Sequence, residues 1–67
     1  MEAYQERMIE ERDELTERIG KLKTFSGTKI FENLDLREKQ RINAQGHSMS
    51  LYLHILNERI KAFTNAS

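Results

Sequence analysis

The chain has 67 residues, no cysteine, and 11 basic against 11 acidic residues, so its formal net charge is zero. This length allows a single domain, and the lack of cysteine excludes disulfides and thiolate metal sites. The charge balance gives no general excess of positive field for phosphates, so we do not expect nucleic acid as a partner. A core in a chain below ~70–80 residues supplies only ~3–5 kcal/mol, which favours association with another chain.

The distribution of apolar residues does not predict a membrane protein. No apolar run approaches the ~18 residues that a membrane span requires. The first residues, Met1-Glu2-Ala3-Tyr4, include an acid and resemble neither a secretory signal nor a basic transit peptide. We therefore expect a cytoplasmic protein with no membrane partner.

A first amphipathic helix is predicted over about residues 2–25. Acidic residues in its first part and basic residues near its end complement the helix dipole. Gly27, just beyond its end, predicts a stop in the left-handed conformation. The apolar residues recur at helical spacing, and they are Tyr4, Met8, Leu15, Ile19, Leu22 and Phe25.

A linker of about residues 26–35 follows the first helix. Its apolar residues Ile30, Phe31 and Leu34 are expected to fold back over the end of a hairpin, through a short helical turn. The turn at residues 26–29 offers backbone donors, a hydroxyl and a positive charge to an anion. An ordinary loop is the alternative interpretation of that turn.

A second helix is predicted over about residues 36–64, with Asp35 as its N-cap and Glu38 completing a capping box. At 100° per residue this helix has two apolar faces. The first face comprises Ile42, Met49, Leu53, Leu56, Ile60 and Phe63. The second lies nearly opposite and comprises Leu51 and Ile55 with Ala44 and Ala62. The first helix can cover only one of these faces, so the other requires another chain.

Folding the chain about the middle of the linker gives a predicted register. Ile19 then lies near Ile42, and Met8 lies near Leu53. The second helix extends past the first in this register and leaves its last apolar residues without an intramolecular partner. The fold prediction is therefore all-α: one domain over residues 1–67, a two-helix antiparallel hairpin that assembles into a homo-oligomeric helical bundle. Its predicted oligomer interface comprises Leu51, Ile55, Ile60 and Phe63.

Gly46, inside the second helix, is the other unusual position. Glycine costs ~1 kcal/mol relative to alanine in a helix interior. In the predicted register Gly46 lies opposite Leu15 or Ile19. It therefore indicates either a notch for close helix approach or a simple kink.

Motifs for catalysis are absent from the sequence. There is no phosphate-binding loop, dinucleotide fingerprint, nucleophile elbow or zinc-protease motif. His47 and His54 lie seven residues apart, which is ~10.5 Å of helix rise and too far for both to bind one metal ion. They are interpreted as solvated or hydrogen-bonded, with a pH-sensitive contact between subunits as the alternative. We therefore expect a protein that is not an enzyme and has no metal or cofactor.

A polar stripe on the second helix, between its two apolar faces, is the candidate ligand-binding site. Arginine holds phosphate through paired hydrogen bonds, and tyrosine offers a ring for stacking and a hydroxyl. A flank that forms hydrogen bonds between subunits is the alternative. The stripe comprises Arg41, Gln45, Ser48, Tyr52 and Arg59, with Tyr4 and Lys21 as weaker additions from the first helix.

Several segments carry a resemblance to known proteins: Tyr4-Gln5-Glu6-Arg7, Leu15 through Leu22, Phe31-x-x-Leu34, and Arg41-x3-Gln45-x3-Met49-x2-Tyr52-x2-Ile55-Leu56-x2-Arg59-Ile60. In these the chain resembles small phage proteins made of one helical hairpin. The hairpin and the Arg-Gln-Met pattern are distantly similar to the hairpin domain of phage anti-CBASS and anti-Thoeris sponges. That resemblance implies an oligomer that sequesters cyclic-nucleotide or cyclic-ADP-ribose-type immune signals without degrading them. It carries over no individual binding residue.

Together these observations predict a non-enzymatic phage counter-defence protein. It would sequester a cyclic-nucleotide-type immune signal at the boundaries between its own copies. The alternative is a helical inhibitor or adaptor that binds a host defence protein through Leu51, Ile55 and Phe63. A structural fragment of a larger phage assembly is a third hypothesis.

Overall fold

The computed structural model describes residues 1–65 and contains three helices, α1 (Ala3–Ser26), α2 (Lys29–Glu32) and α3 (Leu36–Thr64). Within these residues there is no strand, so the all-helical prediction is confirmed. The long helices α1 and α3 pack against each other as an antiparallel hairpin, and α2 lies in the connection between them. The result is a rod of 50 × 15 × 14 Å.

The ends of α1 are closed by local hydrogen bonds. At its start, the backbone N–H of Glu2 donates to the side-chain oxygen of Gln5 at 2.8 Å. At its end, the backbone N–H groups of Gly27 and Thr28 donate to carbonyl oxygens of the last turn at 3.1 and 3.0 Å. Gly27 has a φ of −94°, so the predicted left-handed stop is wrong. The ordinary backbone conformation suffices because α2 begins only two residues later.

The turn before α2 uses its own polar groups. The Thr28 hydroxyl donates to the carbonyl oxygen of Phe25 at 2.7 Å and accepts from the backbone N–H of Phe31 at 3.3 Å. The Ser26 hydroxyl donates to the carbonyl oxygen of Leu22 at 3.0 Å. Both hydroxyls are therefore engaged within the chain, which favours the alternative interpretation of this turn as an ordinary loop.

Aromatic packing closes this end of the hairpin. The rings of Phe25 and Phe31 meet edge to face, with centroids 6.1 Å apart and planes at 85°. The Lys39 ammonium lies 6.0 Å from the centroid of Phe31, and Leu34 is half-buried. Ile30, by contrast, is 68% exposed. The expectation that it folds back with its neighbours is therefore wrong, because Phe31 and Leu34 cover the end without it.

Only one of the two hydrogen bonds of the predicted capping box forms at the start of α3. The Asp35 carboxylate accepts the backbone N–H of Glu38 at 2.9 Å. The Glu38 carboxylate pairs with the guanidinium of Arg41 at 2.7 Å, and no return bond to Asp35 is present among the described residues. The predicted capping box is thus half formed. α3 then runs without a break through Gly46 to Thr64.

The core of the hairpin is a single line of side chains between α1 and α3. Four of them are buried, namely Met8, Leu15, Leu56 and Ile60. Partly buried side chains pack against this line, namely Ile9, Ile19, Met49, Leu53 and Phe63. Leu56, with no exposed surface, lies at its centre.

The register of the two helices differs from the prediction. Met8 lies in one groove with Arg59 and Phe63, about two helical turns further along α3 than the predicted neighbour Leu53. Ile60 is 8% exposed and Phe63 is half-buried, so the prediction that they lack an intramolecular partner is wrong. Ile60 therefore retains little surface for an interface between copies. The first turn of α3 lies beyond the end of α1, where Phe31 covers it.

The second apolar face of α3 is uncovered in a single copy. Leu51 is 62% exposed and Ile55 is 44% exposed. On the same side of α3, opposite the core, lie three small residues that are also exposed. We call this surface the outer face of α3, and it comprises Ala44, Ser48, Leu51, Ile55 and Ala62.

Candidate functional site

A groove between the start of α1 and the end of α3 combines aromatic, apolar and cationic groups. Tyr4 and Met8 contribute from α1, and Arg59, Ala62 and Phe63 contribute from α3. We call it the aromatic groove. Its volume is about 420 Å³, and it is open to solvent. The two rings offer stacking surfaces and the guanidinium offers paired donors to an anion.

Tyr52 and Glu11 form a polar contact between the two long helices. The Tyr52 hydroxyl donates a hydrogen bond to the Glu11 carboxylate, which joins α3 to α1. This bond raises the pKa of Tyr52 above 10.0, with desolvation and the negative charge of Glu11 adding to the shift and the positive charge of Arg59 opposing it. Tyr52 precedes Arg59 by two turns on one flank of α3. The phenol is therefore neutral at physiological pH, with its hydroxyl donated to Glu11.

A second groove lies on α3 alone, near its start. It is lined by Arg37, Gln40, Arg41 and Ala44, and we call it the arginine groove. Its volume is about 500 Å³. The Arg41 guanidinium forms an ion pair with the Glu38 carboxylate, and the two side chains remain 66% and 41% exposed. No ion pair involves Arg37 among the described residues. The surface offers guanidiniums and an amide but no aromatic ring.

A third groove, between the opposite ends of α1 and α3, is less suitable for a ligand of nucleotide size. It includes Ile19, Leu22, Ile42 and Gly46. Its volume of about 220 Å³ falls below the range of most small-molecule sites. A β-carbon built on Gly46 would lie 3.5 Å from Leu22, so Gly46 faces α1 one turn beyond the predicted Ile19.

The structure brings together only part of the predicted site. Tyr4 and Arg59 share the aromatic groove, and Tyr52 is electrostatically coupled to Arg59. Arg41 lies 18 residues from Arg59, which is about 27 Å along the helix. These two arginines of one copy cannot hold the same small ligand.

The other predicted ligand residues lie outside both grooves. The Gln45 amide donates to the sulfur of Met49 at 3.8 Å. Lys21 pairs with Glu17 at 3.2 Å on the solvated side of α1, with both side chains largely exposed. Ser48 is exposed on the outer face of α3.

Sequence reasoning missed several groove residues. Phe63 was assigned to an apolar face and to an interface, and Met8 to the apolar stripe of the first helix. Phe63 lies one turn after Arg59 on α3 whatever the register, whereas Met8 lines this groove because of the register that the prediction placed incorrectly. Arg37 and Gln40 could have been found from the sequence, because they lie one turn before Arg41 and Ala44 on the same side of α3.

Among residues 1–65, no group of three or more histidine, aspartate or glutamate side chains is arranged to hold a metal ion. None of the helices in that part of the chain combines the length and apolar character that crossing a membrane requires.

Comparison with known proteins identifies the family. A family model described as Sequestin matches residues 2–62, which is almost the entire chain. The chain belongs to the Sequestin family. No curated protein and no solved structure gives a significant match. The Sequestin name suggests a sequestering function. The match covers nearly all of α1 and α3 and every lining residue of the two larger grooves except Phe63.

Proposed function

We propose that this Sequestin hairpin binds and holds a small cyclic-nucleotide-type signal without chemically changing it. The observation that carries the proposal is the aromatic groove, which Tyr4, Phe63 and Arg59 line together. A base or another planar ring would stack on the aromatic side chains, and a phosphate would bind the guanidinium. The family name supports the sequestering part of the proposal. The cyclic-nucleotide ligand and a role in phage counter-defence rest on the resemblance described above.

Electrostatics favour an anionic ligand at this groove. Arg59 is exposed and no ion pair engages it among residues 1–65. Its positive charge is therefore not cancelled by a direct carboxylate partner. The Glu11 carboxylate accepts a hydrogen bond from the Tyr52 hydroxyl, and it forms no ion pair with Arg59. An anion would thus gain a guanidinium contact without displacing an existing salt bridge.

Binding without catalysis is the simplest activity for these groups. Among the lining residues of the aromatic groove, only Tyr4 has a side chain of the kind that serves in acid–base or nucleophilic catalysis, and no histidine or carboxylate lines the groove to activate it. General acid–base or nucleophilic catalysis needs such a group within hydrogen-bond reach of the reacting atoms. Sequestration needs only affinity and a sufficient number of copies. We therefore propose a binding protein rather than an enzyme.

Isothermal titration calorimetry with a panel of nucleotides tests this proposal. The panel comprises cyclic AMP, cyclic di-AMP, cyclic di-GMP, cyclic ADP-ribose and linear ADP-ribose. We expect binding of at least one cyclic compound, with the compound recovered intact after the protein is denatured. Arg59→Ala should weaken that binding at least tenfold, which corresponds to ~1.4 kcal/mol.

Arg18→Ala is the matched control, because Arg18 is exposed on α1 and lies in neither of the larger grooves. It should leave the affinity unchanged. Equal losses from both variants would indicate nonspecific attraction to positive charge. Absence of heat with every compound, or recovery of a cleaved product, would contradict the proposed function.

A further inference from the structure

The aromatic and arginine grooves lie at the two ends of one continuous surface. Ala44 lines the arginine groove and Ala62 lines the aromatic groove, and both residues belong to the outer face of α3. Between them lie the exposed apolar side chains of Leu51 and Ile55. The uncovered face therefore runs from one groove to the other.

Leu51 marks the midpoint of this surface. It lies eleven residues after Gln40 of the arginine groove and eleven residues before Ala62 of the aromatic groove. Each groove is thus about 16 Å along the helix from Leu51, in opposite directions. A two-fold axis through Leu51, perpendicular to α3, would place each groove of one copy opposite the other groove of a second copy.

We infer that two copies of this chain pair antiparallel along the outer face of α3, centred on Leu51, and that each aromatic groove is completed by Arg37 and Arg41 of the second copy. The ligand in this inference rests on the proposed function, and the pairing of the two copies rests on the positions of the two grooves. A symmetric dimer of this kind has two equivalent sites. It also accounts for Arg41 and Arg59, which lie too far apart in one copy to act together.

The sizes of the side chains on the outer face suit antiparallel pairing. The half nearer the start of α3 has small residues, Ala44 and Ser48, while the centre and the other half have Leu51 and Ile55. An antiparallel copy places Ile55 over Ser48 of its partner and brings the two Leu51 side chains together. Large groups then meet small ones away from the axis, which allows the helices to approach closely. A parallel copy would instead oppose large groups to large groups along the face.

Charge on the same surface links pairing to the ligand. Pairing brings Arg37 and Arg41 of one copy towards Arg59 of the other, so three guanidiniums surround each completed groove. Glu38 offsets part of this charge through its ion pair with Arg41. The remaining like charges weaken the pairing without preventing it, and an anion that lies between them relieves this repulsion. We therefore expect an anionic ligand to strengthen the dimer, and added salt to weaken the binding of that ligand.

Cysteine crosslinking tests the pairing without any ligand. The chain has no native cysteine, so a single introduced thiol reports one position. Leu51→Cys should give a covalent dimer with a short bismaleimide. A mixture of Gln40→Cys and Ala62→Cys should give the mixed dimer in excess of either self-crosslink. Ile30→Cys is the control, because Ile30 is similarly exposed but lies on α2, and it should give no covalent dimer.

Crosslinking at Leu51 no faster than at Ile30, or no excess of the mixed dimer, would overturn the inference. A stoichiometric host protein retained through Leu51 in place of a second copy would overturn it as well.

Mixing two binding-deficient variants tests the shared site. Arg41→Ala and Arg59→Ala should each lose binding of the compound that the calorimetric panel identifies. In a random mixture, half of the dimers contain one of each chain, and each such dimer has one complete site. About a quarter of the wild-type number of sites should therefore return at wild-type affinity. No recovery on mixing would refute a site shared between copies.

The two proposals can fail separately. If the wild-type chain binds no compound in the panel but the crosslinks form as expected, the pairing is supported and the nucleotide function is refuted. If the wild-type chain binds and mixing restores nothing, the function is retained and the shared site is refuted.

Discussion

The Tyr52 hydroxyl on α3 donates a hydrogen bond to the Glu11 carboxylate on α1. This contact joins the two long helices beside the aromatic groove, on a surface otherwise exposed to solvent. The Arg12 guanidinium makes a second link across the hairpin by donating to the side-chain oxygen of Asn57 at 3.2 Å. Polar contacts at the edge of the core therefore help to fix the register that apolar packing sets.

The first prediction concerns the pKa of Tyr52. In a Tyr4→Phe background Tyr52 is the only tyrosine, so its ionisation can be followed by ultraviolet absorbance. We expect a midpoint above 10.0, because the hydrogen bond to Glu11 favours the neutral phenol. Glu11→Ala should move the midpoint towards 10.0. A midpoint unaffected by this substitution would show that the bond to Glu11 does not control the titration.

The raised pKa of Tyr52 also predicts how the stability of the hairpin depends on pH. Folding raises the pKa of Tyr52, so the protonated phenol favours the folded hairpin. Its contribution is complete below pH 10.0 and is lost as the pH rises through the raised value. Urea unfolding of the Tyr4→Phe chain across that interval should show a loss of stability that the added Glu11→Ala substitution reduces.

The second prediction concerns the core. Leu56→Ala should lower the free energy of unfolding by ~2–5 kcal/mol, because Leu56 has no exposed surface and its removal leaves a cavity. Leu36→Ala is the control, since Leu36 is 69% exposed, and it should change stability by no more than ~0.5 kcal/mol. Urea unfolding followed by circular dichroism measures both. Similar losses for the two variants would mean that Leu56 is not enclosed by the hairpin.

The third prediction compares two glycines. Gly46→Ala should stabilise the chain by ~0.5–1 kcal/mol, because alanine favours the helix and its β-carbon would lie at ordinary contact distance from Leu22. Gly20→Ala is the matched control, with nothing within 4 Å of the added atom. Thermal unfolding should show at least as large a gain at position 46 as at position 20. Destabilisation at position 46 alone would establish a closer helix approach than the structure has.

The fourth prediction concerns the start of α3. Asp35→Ala should cost ~0.5–2 kcal/mol, because its carboxylate caps the backbone N–H of Glu38. Asp35→Asn should retain most of this stability, since an amide oxygen accepts the same bond. Glu38→Gln should have a smaller effect than Asp35→Ala, because the Glu38 side chain does not return to cap the helix. Chemical unfolding of the three variants at the same protein concentration checks this order of their free energies of unfolding.

The sequence predicted those parts of the fold that depend on local chemistry. Asp35 has the side chain of an N-cap, and the apolar periodicity of α1 and α3 requires buried stripes. The outer face could be predicted in the same way, because Leu51 and Ile55 lie opposite Ile60 on any α-helix.

The register could not be predicted by such local rules. It depends on how Phe31 and Leu34 fill the space beyond the end of α1, which is a tertiary effect. The error separated Met8 from Arg59 in the predicted site. Arg41 and Arg59 were grouped in one stripe for a different reason, because they lie on the same side of α3, and their separation of about 27 Å along the helix places them in different grooves.

The short connection between α1 and α3 has a consequence for how soon a newly synthesised chain becomes active. Small helical proteins with mostly local contacts fold within microseconds to milliseconds. The chain contains neither proline nor cysteine, so neither prolyl isomerisation nor disulfide exchange can delay the process. The supply of hairpins competent for the proposed sequestration should therefore be limited by translation rather than by maturation.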